Sequence, residues 1–147
     1  MCFDFPPERK APERWLQFKW DSMEITVNGK SRRLSGVAEL QSLIEEVFSE
    51  EYQEIWISGP QASQLCIMLN PSSAFAMYLR DRGDSGFRTH NSQYEESEAV
   101  ETFRLANGQV DYYPKSWVIE KGQAKAVMET FLTTGLLDSQ VNWKEEE

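Results

Sequence analysis

Residues 55–79 carry no charged side chain, and this constrains the fold of the 147-residue chain more than any other feature. A surface helix or a solvated loop of that length would need charges. Three strand-length runs fit inside it: Ile55–Ser58, Gln64–Asn70 and, reaching just past it, Ala74–Arg80. Gly59-Pro60 and Asn70-Pro71-Ser72-Ser73 supply the breaks between them. The run from Leu65 to Leu69 is apolar without alternation, as in a strand buried on both faces. This run, like the apolar Ala74–Leu79, is far too short to span a bilayer. The stretch therefore predicts the middle of a sheet.

The flanks predict what surrounds that sheet. Asn28-Gly29 suits a two-residue type I′ turn, because both central positions need positive φ. Such a turn pairs Val27 with Lys30, Thr26 with Ser31, Ile25 with Arg32 and Glu24 with Arg33. This hairpin is polar enough to belong near an edge. Ser35 or Gly36 then opens a helix with an apolar face of Val37, Leu40, Ile44, Val47 and Phe48. Asn107-Gly108 predicts a second hairpin, pairing Leu105 with Val110, Arg104 with Asp111 and Phe103 with Tyr112. That register gathers Phe103, Leu105, Val110 and Tyr112 on one apolar face, and Pro114 ends the strand.

The chain closes with its most regular segment. Ala124, Val127, Met128, Phe131 and Leu132 fall on one helical face, Gly135 can adopt the left-handed stop, and Val141 and Trp143 alternate as in a strand. Leu16, Phe18 and Trp20 alternate in the same way, after a proline- and charge-rich arm over 1–14. The expectation is an α+β fold: a largely antiparallel sheet with two main helices packed on one face, forming a single domain over 15–147.

Catalytic equipment is sparse. His90 is the only histidine and lies in the polar 81–98 stretch, so a solvated role is the default. Cys66 sits in an apolar run and Cys2 at a terminus, which gives neither a disulfide framework nor a metal spacing. Asp81 and Asp84 match no calcium loop and are crowded by Arg80, Arg82 and Arg88. No cofactor or metal is expected, and the chain reads as a binder, not an enzyme. The net charge of −9 argues against direct nucleic-acid binding and suits a basic protein partner. Without an apolar leader or a spanning run, the expected location is the cytoplasm, with no membrane association. Acidic residues concentrate in two places. Glu39, Glu45, Glu46, Glu50, Glu51 and Glu54 occur over 36–54 with no Lys or Arg, and Asp84, Glu95, Glu96 and Glu98 lie in the polar loop.

The C-terminal segment resembles the first-numbered immunity-protein family of bacterial polymorphic toxin systems. The likeness rests on Val118-Ile119 leading into a helix, Ala124 or Ala126, Phe131, Thr134-Gly135 and the terminal Val141-Asn142-Trp143. It extends over roughly 36–143 through the order of helix, strands, loop and hairpin. The resemblance implies a non-enzymatic inhibitor that binds a cognate toxin, often a nucleic-acid deaminase or nuclease-like effector, and blocks its active site. The partner would be a basic toxin domain. The expected contact residues are Glu45, Glu46, Glu50, Glu51, Asp84, Glu95, Glu96 and Glu98, with Tyr94 as an aromatic anchor. Two other readings stay open. One is a small-molecule or enzymatic domain with a pocket walled by 55–79 and His90 at its mouth. The other is a homodimeric adaptor pairing through an edge strand.

Overall fold

A computed structural model describes residues 24–34 and 36–146. The 1–14 arm, the Trp15–Trp20 strand, Ser35 and the side chain of Val37 lie outside the described residues. Among the described residues, nine strands and two α-helices follow in order. They are β1 (Glu24–Val27), β2 (Lys30–Arg32), α1 (Val37–Phe48), β3 (Gln53–Ser58), β4 (Gln64–Leu69) and β5 (Ala74–Leu79). After these come β6 (Phe87–His90), β7 (Val100–Arg104), β8 (Val110–Pro114), α2 (Lys121–Thr134) and β9 (Asn142–Glu145). Seven strands form one antiparallel sheet in the order β2-β1-β3-β4-β5-β6-β9, and β7-β8 stands as a separate hairpin.

The charge-free stretch is the sheet's centre. Strands β3, β4 and β5 are adjacent, and their side chains alternate between two dry faces. Ile55, Ile57, Leu65, Ile67, Leu69, Ala74 and Ala76 meet α1 and α2 on one face. Cys66, Met68 and Phe75 meet Phe103 and Val118 on the other. Runs covered on both sides have no solvent face that could take a charge. The fold is thus α+β, with both helices on one face of a largely antiparallel sheet. The β7-β8 hairpin, which the sequence left unplaced, covers the opposite face.

The first hairpin follows the expected register, Ile25↔Arg32, Thr26↔Ser31 and Val27↔Lys30. Asn28 and Gly29 both have positive φ (51° and 81°), as a type I′ turn requires. The ladder stops before the expected Glu24–Arg33 pair; it is Arg32 that finds a carboxylate, that of Glu46 at 2.6 Å. Helix α1 buries Leu40, Ile44 and Val47 as expected, and also Leu43. Helix α2 buries all five predicted residues and ends at Gly135 with φ 73°. Its start is secured by the Glu120 N–H donating to Gln123 Oε1 at 2.9 Å. Trp143 pairs with Thr89, so the terminal strand closes the sheet on β6.

The second hairpin departs from its predicted register by one residue. The observed pairs are Phe103↔Asp111, Arg104↔Val110 and Thr102↔Tyr112. Asn107 does not take the positive φ that a type I′ turn needs; Gly108 alone does, at 88°. The Gly108 N–H donates to Leu105 C=O, and the Leu105 N–H donates to Gln109 C=O at 2.8 Å. This is a three-residue loop with glycine in the left-handed position. A one-residue slip exchanges faces. Phe103 and Tyr113 therefore point inward onto Phe75, with ring centroids 4.9 and 4.6 Å away. Val110 and Tyr112, expected in the core, stand exposed.

Candidate partner-binding surface

The acidic residues expected at 36–54 separate into three kinds. Glu54 lies on β3, not on the helix. Its carboxylate accepts the Trp56 indole N–H at 2.7 Å and the Ala106 N–H at 2.6 Å, and so pins the turn of the β7-β8 hairpin. Glu45 and Glu46 are exposed but paired, Glu45 with Lys125 of α2 and Glu46 with Arg32 of β2. The Arg32 guanidinium holds the Glu46 carboxyl below its ordinary pKa, chiefly by hydrogen bonding. Glu50 and Glu51 sit in the turn after α1, exposed and without an ion pair among the described residues.

These residues border a groove of about 530 Å³ between the end of α1, the first hairpin and the second. Glu46, Glu50 and Glu51 line it together with Lys30, Arg32, Tyr52 and Arg104. The Arg104 guanidinium lies 4.4 Å from the Tyr52 ring centroid, joining the acidic turn to the hairpin. A second groove of about 330 Å³ runs between Leu40, Ile44 and Glu45 of α1 and Glu129 and Thr133 of α2. Both lie away from the 55–79 strands, whose faces are filled by side chains.

The loop set is placed differently. Strands β3, β4 and β5 separate β1 from β6, so Glu46–Glu51 and the loop residues sit at different ends of the sheet. Asp84 is held inward. Its carboxylate accepts from the Arg80 backbone N–H (2.8 Å), Nε (2.9 Å) and Nη2 (2.9 Å), and its side chain is only 8% exposed. Those bonds hold its pKa well below the usual carboxylate range. Its geometry is that of a loop clamp. Tyr94 lies beneath Lys115, with Nζ 5.0 Å from the ring centroid, and Glu95 reaches His90 Nε2 at 3.2 Å. Glu96 and Glu98 are exposed and unpaired among the described residues. His90 ends β6, and its Nδ1 is buried without a hydrogen-bond partner among the described residues, as is Arg88 Nη1.

The β7-β8 hairpin bridges the two acidic ends. Asn70 Nδ2 donates to the Thr102 carbonyl and to Glu101 Oε1, both at 3.1 Å, which fixes the strand to the sheet. At its open end the Lys115 N–H donates to Ala99 C=O at 2.9 Å, one residue beyond Glu98. Sequence reasoning missed this hairpin's outer surface, because the assumed turn turned Val110 and Tyr112 inward. Gly108 was the available signal, since Asn-Gly also fits a three-residue loop. Among the described residues no helix is long and apolar enough to cross a membrane.

The match to known proteins follows this architecture. A family described as immunity protein Imm1 matches residues 28–145, from the first hairpin through the terminal strand. No curated protein matches the chain.

Proposed function

The chain belongs to the Imm1 immunity-protein family, and from that premise we propose that it neutralises a cognate bacterial toxin by binding it, its acidic surface docking over the toxin's active site. The family match, which spans the fold, carries this reading. The charge distribution supports the docking mode: Glu50 and Glu51 at one end and Glu96 and Glu98 at the other are exposed and unpaired among the described residues. A toxin that acts on nucleic acid, such as a deaminase or a nuclease, needs a cationic substrate cleft. An acidic protein is steered into such a cleft and covers it without turnover of its own. The chain acts in the cytoplasm, where such a toxin would find nucleic acid.

The test is co-expression with the toxin domain encoded by the adjacent gene. Protection of the host and a co-eluting complex are expected. A neighbourhood with no toxin gene, or a toxin that is neither bound nor inhibited, overturns the reading. The docking mode has a separate readout. Charge reversal at Glu50→Lys with Glu51→Lys should slow association and flatten its dependence on salt, leaving the melting temperature unchanged.

A further inference from the structure

We propose that the outward face of the β7-β8 hairpin is where the toxin docks, with Tyr112 as the anchor inserted into an apolar pocket rimmed by Lys or Arg. This rests on the immunity reading and goes on to assign the face and the chemistry of the partner surface. Four large apolar side chains remain exposed among the described residues: Val100 (54%), Val110 (46%), Tyr112 (65%) and Leu136 (46%). Three of them lie on this one hairpin. The ladder pairs Val100↔Pro114, Thr102↔Tyr112 and Arg104↔Val110, so the outward positions form one continuous strip. The inward positions are taken by Phe103 and Tyr113, and the backbone is held by Asn70 and Glu54. The strip is therefore presented on a fixed support, with little ordering left to be lost on binding.

Charge decides the occupant. At the turn end, Arg104 stacks on Tyr52, next to Glu51 and Glu50. At the open end, the bond between Ala99 and Lys115 brings Glu98 and Glu96 alongside. The strip is thus an apolar centre with unpaired carboxylates near each end, beside Lys30 and Arg104 at one and Lys115 at the other. A second copy related by a two-fold axis through the strip would set Glu50 and Glu51 of one copy against Glu96 and Glu98 of the other. Like charges would meet at both ends. A partner with an apolar pocket between two cationic patches complements all three parts. A five-residue ladder is about 17 Å long. The strip can therefore serve as the centre of an interface whose usual ~800 Å² per partner takes in both acidic ends. A rigid aromatic at such a centre is the residue type that carries binding energy.

The experiment uses the full chain and the toxin domain encoded by the adjacent gene, with affinity from calorimetry and folding from thermal melts. Tyr112→Ala should raise Kd by about 30-fold or more. Val110→Asp should abolish co-elution, while Leu136→Ala, an exposed apolar residue elsewhere, leaves Kd unchanged. All three variants should melt as the parent does. If the parent binds and both hairpin variants bind equally well, this face is not the docking site, although the immunity reading stands. If the parent does not bind the toxin, the reading falls and takes this proposal with it. A free chain that scatters light as a dimer, with Tyr112→Ala a monomer, would make a second copy the occupant and overturn the proposal.

Discussion

Truncation of Phe103 to alanine tests whether the second hairpin is seated as described. The side chain is fully buried, edge-on to Phe75 at 4.9 Å and to Tyr113 at 5.8 Å. Removing a buried phenylalanine costs about 3–5 kcal/mol through lost transfer energy and the cavity left behind. The aromatic contacts add about 0.5–1.5 kcal/mol of that kind. The loss is a large share of the ~5–15 kcal/mol that holds a domain together. Tyr112→Ala, on the outward face of the same ladder and exposed, should change stability by no more than about 0.5 kcal/mol. Urea unfolding followed by tryptophan fluorescence measures both. The expected result is a large fall in midpoint for Phe103→Ala and almost none for Tyr112→Ala. Were the hairpin in the two-residue-turn register, Tyr112 would be a core residue. A loss above about 2 kcal/mol for Tyr112→Ala would refute the register and the exposed strip together.

Three further outcomes follow from local geometry. A Cβ at Gly59 would meet Phe131 Cζ at 2.5 Å and Ser63 Oγ at 2.6 Å; Gly59→Ala should cost about 1–3 kcal/mol by overpacking, and an unchanged urea midpoint would contradict that contact. Arg80 holds the pKa of Asp84 below its ordinary value, so the ionised form favours folding: this contribution is present above about pH 4 and is lost as pH falls further. Asp84→Asn should therefore flatten the acid side of the stability profile, and an equal acid slope in both proteins would count against the clamp. Burial, with the Asp111 carboxylate beside it, raises the Tyr113 phenol to about 12. The neutral phenol favours folding, so its contribution is complete below about pH 10 and is lost as pH rises towards 12. Titration at 295 nm should show one late-ionising tyrosine that Tyr113→Phe removes.

What was legible in the sequence was set locally. A charge-free stretch cut into strand-length runs by Gly59-Pro60 and Asn70-Pro71 reads as the centre of a covered sheet, and three strands lie there. Asn28-Gly29 fixed a turn because no longer-range contact opposed it, and Gly135 ended α2 for the same reason. What was illegible depended on contacts far apart in the chain. Glu54 counted as one of a run of surface acids, yet its carboxylate holds Ala106, 52 positions away. The pairing of β6 with β9 joins residues 87–90 to 142–145, and nothing in either segment names the other. The loop carboxylates looked alike, but Asp84 is turned inward by Arg80 whereas Glu96 and Glu98 face solvent. The second hairpin failed on a rule that is sound by itself: apolar side chains segregate to the buried face. Both registers place Phe103 inward, so the core does not choose between them by that residue. Asn70, Glu54 and the Tyr113–Phe75 contact do.

That failure separates two tasks. The register is enforced from beneath the hairpin, by groups that never touch its outer face. The outer face is then free of folding duty, and an apolar residue there gains nothing for stability while adding exposed apolar surface. Three such residues in one strip, between two patches of unpaired carboxylates, are what a binding surface requires and a folding core does not. Such conflicts between local pattern and observed structure concentrate at functional sites. Because the two tasks are separate, replacing Val100, Val110 and Tyr112 together by threonine, a residue at home in a strand, should give a protein that folds with near-parent stability. It should no longer protect against the toxin. Loss of folding in that variant would show that the strip serves the core after all. Retained protection would show that the acidic ends suffice without it.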